Sequence, residues 1–355
     1  MNLKKICGPG LLWAMWTLMG VSAIVFGTDQ DYSEIENRPL QTKPTFEMTS
    51  YLNGDYQNQV QQYINDQMLG KNQLVRDASQ LENILLRGKK ENVYISQKKR
   101  LLQEVEFPQY DHLDELNQIE RPITLMIVPT PIAFYEEECF LPSSAISQVD
   151  ILNAYKDQLN SRIRYINMVD VLKPHKNEAI YFKTDHHWTS LGAKYGAEAF
   201  LNKTFDAVET YLVRESFYGS LARQIGYTKT TDEMVISEPQ HLTPYIVENV
   251  ETKKISTSIY DLSKIESADP YTIYFWGNYP CLKITTKKKN KKSLMVIKDS
   301  YANALMPYLI NEYEQIIMLD PRYSQYKISD FKVDEILVCM NENLYFNQEK
   351  LFLFE

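Results

Sequence analysis

The sequence predicts an α/β protein in which helices cover both faces of a mostly parallel sheet. Continuous apolar runs occur at 123–134 and 294–297 and in the later segments "QIIMLDP" and "DEILVCMNENLYF". Such runs are typical of strands that are buried on both faces. Segments with helical spacing separate them, and 145–161 carries an apolar stripe of Ile146, Val149, Leu152 and Leu159. Strands that alternate with helices indicate a parallel sheet covered on both sides.

The first 27 residues predict a membrane anchor or a signal peptide. Lys4 and Lys5 precede an uncharged stretch, residues 6–27, whose length is close to the roughly 20 residues that span a bilayer. The lysines favour a cytoplasmic N terminus, which places the rest of the chain outside the cytoplasm. Val25 and Gly27 are small enough for a processing site, so cleavage and secretion remain the alternative to a single-pass anchor.

Two further regions follow this segment. Residues 28–109 predict a linker and an N-terminal helical arm, because 29–46 is polar and proline-bearing and about 50–85 has helical spacing. Residues 110–355 predict the α/β domain. It is interrupted at about 205–290 by a segment rich in β-branched and aromatic residues, which we expect to be an antiparallel insertion. We call residues 205–290 the β-rich segment; substrate specificity is one hypothesis for it.

Composition excludes several classes of function. The net charge of −8 argues against a nucleic-acid partner, since phosphate contacts require a basic face. The one basic run, 283–292, precedes an apolar strand and predicts a solvated hairpin turn. Beyond the N-terminal segment only Cys139, Cys281 and Cys339 remain, and their wide spacing predicts neither a disulfide framework nor a cysteine-based zinc site.

Ser300 lies where the apolar strand 294–297 runs into a helix start. Ligands of open α/β sheets bind beyond the carboxyl ends of strands, and backbone N–H groups at a helix start can hold an oxyanion. The same serine could instead be a simple N-cap of that helix. The local sequence therefore leaves a nucleophile and a capping residue as the two interpretations.

The motif "TDHHWT" supplies the partners that a nucleophilic serine needs. A histidine can remove the hydroxyl proton, and Asp185 can orient that histidine. On an extended segment, residues i and i+2 project to the same side, so we expect the base to be His187 and His186 to point away. Asp185, His186, His187 and the earlier His175 are also possible zinc ligands. Because adjacent histidines diverge on an extended chain, we predict no metal site.

These motifs resemble the DHHW family of exported proteins, which is similar to the SGNH hydrolases and to proteins of polysaccharide O-acetylation such as those acting on alginate. "TDHHW" and "IKDSYAN" carry the resemblance. Four further stretches support it: "SEIENRPL", "MIVPTP", "FYGSLARQIGY" and "LDPRYSQY". The resemblance implies a three-layer α/β/α fold, with Ser300 as nucleophile, His187 as base and Asp185 as its orienting acid, in the chain order Asp, His, Ser.

The sequence departs from the ordinary SGNH pattern around Ser300. Lys298 stands where a glycine is usual, and the separate Gly and Asn oxyanion motifs are not recognisable. Candidate oxyanion donors are Gly219, Asn303 and the backbone N–H of Tyr301 or Ser300.

Two further side chains are candidate substrate contacts. Arg322 could bind a sugar hydroxyl or a polysaccharide carboxylate, or could form a salt bridge with Asp320. Trp188 could stack on a sugar ring or could fix the turn from within the core.

The resemblance implies serine-dependent acetyl transfer to a cell-surface or extracellular polysaccharide, without a cofactor. It also implies a membrane-bound O-acyltransferase partner that supplies acetyl groups. Two alternatives remain: a polysaccharide O-acetyl esterase, and a non-catalytic polysaccharide-binding or assembly subunit.

Overall fold

The computed structural model describes residues 29–33, 38–68, 70–73, 88–140 and 146–354. The described residues before 87, together with 222–228, form one compact unit, and the remaining described residues form a second. The predicted anchor, 1–27, lies outside the described residues. Within those ranges no helix is both long and apolar enough to cross a membrane. The domain boundaries expected after residues 27 and 109 stay predictions.

The first unit contains a short strand pair and two consecutive helices. Tyr32–Ser33 pairs with Arg38–Pro39 in antiparallel fashion, and the helices are Met48–Asn53 and Asp55–Gln67. Gly54 separates the helices with a φ of 90°, a left-handed conformation that glycine adopts without a steric penalty. Helices therefore occur in part of the predicted arm.

The second unit is built on an eight-stranded sheet, counted over the described residues. From one edge to the other the strands are Ile255–Ser256, Tyr245–Asn249, Cys281–Thr286, Gln315–Leu319, Ser293–Lys298, Glu335–Asn341, Ile123–Val128 and Ile163–Tyr165. The last five pair in parallel, and the first three add to the sheet in antiparallel fashion. The sheet is thus mostly parallel, as predicted.

Helices join the parallel strands and are capped by side chains that the sequence makes recognisable. Ser147 accepts from Asp150 N at the start of Gln148–Lys156, and Thr189 accepts from Gly192 N at the start of Ser190–Leu201. The remaining α-helices of this unit are Leu113–Gln118, Ile132–Tyr135, Met168–Leu172, Met306–Leu309 and Glu342–Asn347. The helix Ser220–Ile225 spans the division between the two units.

The apolar segment 163–172 is only partly a strand. Extended structure ends at Tyr165, and Asn167 then caps the helix Met168–Leu172 by accepting from Val169 N at 3.1 Å. The apolar run alone does not distinguish a buried strand from a strand followed by a short buried helix, because both place apolar residues in the core.

The β-rich segment has two parts. Val208–Phe217 and Asp232–Pro239 form a separate antiparallel pair with two irregularities in register. The strands Tyr245–Asn249, Ile255–Ser256 and Cys281–Thr286 instead extend the central sheet. The hairpin turn expected at 283–292 is wrong. Residues up to Thr286 belong to a strand, and Cys281–Thr286 does not pair with Ser293–Lys298, because the two lie on opposite sides of Gln315–Leu319.

The core lies on the parallel strands. All six residues of Ile123–Val128 are buried, as are five of the six in Ser293–Lys298, which we call the serine strand. Its carboxyl end carries Ser300 and lies between the ends of Gln315–Leu319 and Glu335–Asn341.

Candidate active site

Ser300 begins a 3₁₀ helix, Ser300–Leu305, directly after the serine strand. The cap of this helix is Asp299, whose Oδ1 accepts from Tyr301 N at 2.8 Å. Asp299 Oδ2 accepts from the backbone N–H and the side-chain amide of Asn341. Because Asp299 takes the capping role, the hydroxyl of Ser300 is available for another partner. We call residues 299–301 the serine turn.

Asp185 and His187 lie in a loop of consecutive bends, 183–187, rather than on the extended strand end that we expected. An antiparallel bridge between Tyr181 and Trp188 closes this Asp–His loop. The loop leads into the helix Ser190–Leu201, which Thr189 caps.

The structure brings Asp185, His187 and Ser300 into one hydrogen-bonded chain. His187 Nδ1 lies 2.7 Å from Asp185 Oδ1, and His187 Nε2 lies 2.7 Å from Ser300 Oγ. With Nδ1–H donating to the carboxylate, Nε2 is left as the acceptor for the serine O–H. Asp185 and His187 are buried and Ser300 is half-buried, so the chain runs from the protein interior towards the surface.

The carboxylate of Asp185 is fully satisfied by nearby donors. Its Oδ1 also accepts from His187 N at 3.0 Å, and its Oδ2 accepts from Ser220 N at 2.7 Å. Burial alone raises the pKa of Asp185, but the neighbouring His187 and His186 and these hydrogen bonds hold that pKa well below its ordinary value. Asp185 is therefore ionised at neutral pH and can stabilise a positive charge on His187.

Gly219 does not point an N–H at Ser300; it lies behind Asp185. Its N–H donates to Thr184 Oγ1 at 2.9 Å, so the expectation of a free oxyanion donor is not met. A Cβ at this position would lie 2.5 Å from atoms of both Asp185 and Thr184. The missing side chain lets the backbone approach closely enough for Ser220 N to reach Asp185.

Asp232, at the start of a strand in the β-rich segment, holds the other side of the Asp–His loop. Its two carboxylate oxygens accept from Lys183 N and Thr184 N, each at 2.7 Å, and from Thr184 Oγ1 at 2.5 Å. Burial raises the pKa of Asp232 above its ordinary value. This one side chain thus binds two successive backbone N–H groups of the loop.

Tyr271, also from the β-rich segment, lies flat against the base. Its ring is 3.8 Å from the His187 ring, centroid to centroid, with an interplanar angle of 9°. Our interpretation of the sequence missed Tyr271, Asp232 and Ser220. The signal was weak for Tyr271 and Asp232, which lie at least 45 residues from His187 along the chain in regions with no recognised motif. Ser220 lies in the supporting stretch "FYGSLARQIGY", but nothing in that stretch shows that its N–H meets Asp185.

Asn303 takes part in a buried polar cluster beside the serine turn. Its Oδ1 accepts from Lys298 Nζ at 2.9 Å, and Lys298 lies 3.7 Å from Asp320 Oδ2. Burial lowers the pKa of Lys298. Asn303 is itself buried, and the structure shows its side chain in this internal contact rather than directed to an oxyanion.

Tyr301 and Trp188 are both part of the core. Tyr301 N is occupied by Asp299, and its hydroxyl donates to His186 O, so this N–H does not serve as the expected oxyanion donor. Trp188 is fully buried and donates from Nε1 to Tyr301 O at 2.8 Å. A buried indole has no face for a sugar, and the expectation of sugar stacking by Trp188 is wrong.

Arg322 forms the salt bridge that was one of its two interpretations. Its Nε and Nη2 donate to the two oxygens of Asp320 at 2.8 and 2.6 Å. The side chain retains 23% exposure at the carboxyl end of a strand adjacent to the serine strand. The structure places Arg322 at the same sheet edge as Ser300, without showing a contact to the triad.

His186 lies beside His187 rather than pointing away from it. The two ring centroids are 3.8 Å apart, and His186 Nδ1 lies 2.7 Å from Ser220 Oγ. Ligand atoms of Asp185, His186 and His187 all fall within 4.8 Å of one another. Both nitrogens of His187 are already engaged by Asp185 and Ser300, so a metal ion on His187 would have to replace one of those bonds.

Comparison with known proteins identifies the family. The model of the family described as DHHW protein matches residues 116–319, which is more than half of the chain. The chain belongs to the DHHW family. The matched region includes the whole Asp–His loop, the β-rich segment and Ser300. No curated protein sequence matches the chain.

Solved structures with a similar fold include a DHHW family protein from Eubacterium siraeum. It superposes with a TM-score of 0.63 at 23% identity, over 74% of this chain and 94% of that protein. PatB1 from Bacillus cereus, solved with a sulfonyl adduct, has a TM-score of 0.59 at 18% identity, over 75% and 100% of the two chains. The O-acetyltransferase domain of AlgJ from Pseudomonas putida gives 0.45 at 13% identity, over 75% and 96%. The first two likenesses establish the DHHW fold of this region.

Proposed function

We propose that this DHHW protein is a serine-dependent acetyltransferase that acts on a polysaccharide outside the cytoplasm. The observation that carries the proposal is the hydrogen-bonded chain Asp185–His187–Ser300, with 2.7 Å at each histidine nitrogen. Asp185 is buried and ionised, while Ser300 is half-exposed at the carboxyl end of a parallel strand. This combination matches the requirements for an activated serine nucleophile.

In the first half-reaction, His187 Nε2 accepts the proton of Ser300 Oγ as that oxygen attacks the carbonyl carbon of an acetyl donor. Asp185 stabilises the imidazolium that forms. The tetrahedral intermediate collapses by breaking the bond between the acetyl carbon and the leaving oxygen, which takes the proton from His187. The product is acetyl-Ser300. In the second half-reaction His187 deprotonates a sugar hydroxyl, which attacks the acetyl carbon, and Ser300 leaves with that proton.

The backbone N–H of Ser300 is the oxyanion donor that we assign. It lies at the first residue of the 3₁₀ helix and has no acceptor among the described residues, whereas the N–H of Tyr301 is taken by Asp299. A donor at a helix start is oriented before the reaction, so it stabilises developing charge without reorganisation. Arg322 is the side chain that we assign to a polar group of the glycan.

The proposed setting follows from the sequence and from the family resemblance. The uncharged segment 6–27 anchors the protein in the cell membrane, or directs its secretion if it is cleaved. A membrane-bound O-acyltransferase supplies the acetyl groups from the cytoplasmic side. Transfer to a sugar hydroxyl is favoured over hydrolysis because the motifs resemble proteins of polysaccharide O-acetylation. Hydrolysis of polysaccharide acetyl esters uses the same triad and is the second candidate.

The test is covalent labelling of the purified full-length chain. PatB1 has been solved with a sulfonyl adduct, which makes a sulfonyl fluoride a suitable probe beside 4-nitrophenyl acetate. We expect intact mass to show one adduct on the wild-type chain and none on Ser300→Ala. We also expect acetyl release to fall by about four orders of magnitude, the scale observed when a triad is disabled. Candidate acetylated and unacetylated oligosaccharides then separate the transferase from the esterase.

Ser293→Ala is the matched control, because Ser293 lies at the opposite end of the same strand and its hydroxyl donates to Asp334 Oδ2 at 2.8 Å. It should react like the wild type. Equal background labelling of all three folded proteins would contradict the proposed function and favour the non-catalytic polysaccharide-binding subunit.

A further inference from the structure

We propose that Tyr271 is a positioning residue that fixes the plane of the His187 imidazole through its ring face. This inference rests on the proposed function for its consequence in catalysis, but its structural part concerns His187 itself. Tyr271 comes from the 3₁₀ helix Pro270–Ile273, more than 80 residues from His187 along the chain. The inference also gives the β-rich segment a role that its sequence did not suggest.

The two hydrogen bonds of His187 leave one motion of the ring unrestrained. Asp185 and Ser300 engage nitrogens on opposite sides of the imidazole. They fix the position of the ring along the line that joins the two partners, yet rocking across that line, with one nitrogen above it and the other below it, changes neither distance much. Rocking turns both N–H and lone pair away from their partners, and hydrogen bonds weaken steeply with misalignment.

A parallel aromatic face removes this freedom. The Tyr271 ring lies 3.8 Å from the imidazole at an angle of only 9°, so rocking in one direction drives ring atoms into contact. Two other rings lie close to His187: that of His186 at 3.8 Å is tilted by 37°, and that of Tyr301 at 5.3 Å is tilted by 44°. Tyr271 is therefore the one of these three neighbours whose ring is parallel to the imidazole and defines its plane.

Tyr271 is itself held rigidly. Asp269 caps its short helix by accepting from Tyr271 N at 3.2 Å. The ring packs edge-on against Phe182 at 6.3 Å and contacts Tyr274 at 5.3 Å. It is 3% exposed. A mobile ring could not restrict the motion of His187. These contacts leave the Tyr271 ring little room to move.

The phenol hydroxyl does not contribute to this role. Among the described residues, Tyr271 Oη has no hydrogen-bond partner by geometry. Burial raises the pKa of Tyr271 well above its ordinary value, so the hydroxyl remains neutral and takes no part in proton transfer. The ring face also carries the negative side of the aromatic quadrupole, which favours the imidazolium formed when His187 accepts a proton. Phenylalanine keeps both properties.

The experiment compares Tyr271→Phe and Tyr271→Leu in the full-length chain, with two readouts. The first is the rate of labelling by a sulfonyl fluoride. The second is the proton resonance of His187 Nδ1–H in protein labelled with ¹⁵N-histidine, assigned by its loss in His187→Gln. We expect Tyr271→Phe to stay within about twofold of the wild-type rate and to keep a sharp resonance. Tyr271→Leu should lose tenfold or more in rate and should broaden or lose the resonance.

Tyr308→Leu is the matched control, since it removes an equally buried tyrosine whose ring packs against Phe205 instead of Tyr271. We expect it to lower the melting temperature as much as Tyr271→Leu does, while the resonance stays sharp and the labelling rate falls less than threefold. Equal losses in the two leucine variants would overturn the proposal in favour of general packing, and so would equal losses in Tyr271→Phe and Tyr271→Leu. If the wild type is not labelled at all, the proposed function fails, while the resonance still decides whether Tyr271 orders His187.

Discussion

The serine turn and the Asp–His loop meet where His187 contacts Ser300 and where the Tyr301 hydroxyl donates to His186 O, yet they are held in different ways. The serine turn continues a strand that pairs on both sides in the centre of a parallel sheet. Its own Asp299 ties it to Asn341 on the neighbouring strand. The Asp–His loop has one antiparallel bridge, Tyr181 to Trp188, and one backbone bond from Leu101 N to Lys183 O. Most of its other contacts come from side chains and backbone groups of the β-rich segment.

This difference separates what places Ser300 from what places His187. A strand end in a parallel sheet is positioned by many backbone hydrogen bonds, so no single side chain decides it. A loop of bends lacks that ladder, and each contact from Asp232, Ser220 or Tyr271 is a larger share of what orders it. We therefore expect substitutions around the loop to reduce reactivity more than substitutions around the serine turn.

Gly219→Ala should have the largest effect on the Asp–His loop. The new Cβ would lie 2.5 Å from Asp185 and from the carbonyl carbon of Thr184, so either the loop or the backbone at Ser220 must shift. We expect labelling of Ser300 to fall by a hundredfold or more. The free energy of unfolding should fall by about 1–3 kcal/mol, the usual cost of an overpacked site. Labelling kinetics and chemical denaturation measure the two effects.

Ser220→Ala is the control for this change. It keeps the backbone N–H that donates to Asp185 and removes only the hydroxyl that contacts His186. A labelling rate within fivefold of the wild type would agree with our interpretation. If Gly219→Ala reacts as fast as Ser220→Ala, close approach behind Asp185 is not what orders the loop.

Lys298→Met tests the other side of the comparison. Methionine replaces the buried ammonium by an apolar chain of similar length, and Asp320 keeps its two bonds from Arg322. Asn303 Oδ1 loses its donor. We expect the free energy of unfolding to change by no more than about 2 kcal/mol. The labelling rate of Ser300 should stay within threefold of the wild-type rate, because the strand still positions this residue. A loss of labelling rate as large as that of Gly219→Ala would show that the serine turn is as sensitive to substitution as the Asp–His loop.

Glu342→Gln should change the free energy of unfolding without changing the reactivity of Ser300. The change should appear only at pH values where the glutamate of the wild type is ionised. Burial raises the pKa of Glu342 from 4.5 to about 7. The folded state therefore binds this proton more tightly than the unfolded state, and stability is lost as pH rises through 4.5 to about 7. At pH 8 the ionisation of buried Glu342 lowers the free energy of unfolding by about 3 kcal/mol.

The glutamine variant should lack that penalty. We expect its free energy of unfolding to change less between pH 5 and pH 8 than that of the wild type, by about 3 kcal/mol. Labelling at pH 8 should be unchanged, since Glu342 hydrogen-bonds to Gln148 and the structure shows no contact with the triad. Identical pH dependence in the two proteins would show that Glu342 titrates normally.

The sequence predicted the elements whose signals are local. The buried strands at 123–128, 293–298 and 335–341 follow from apolar runs, and the Thr189 cap follows from a polar residue before a helix. It could not show that 168–172 is a helix, nor that the strands around 287–292 do not pair. Those outcomes depend on which segments pack together, which no single segment encodes.

The sequence by itself determined which residues are able to react. Asp185, His187 and Ser300 have the chemistry of a triad, and the DHHW motif is recognisable without coordinates. The tertiary structure decided which atoms meet. It placed Asp299 rather than Ser300 in the capping role, and it directed the N–H groups of Gly219 and Tyr301 to internal partners. It also placed Tyr271 against His187. The physical reason is that neighbours in space decide which group a backbone N–H binds and which side chain a ring packs against. These neighbours come from distant parts of the chain.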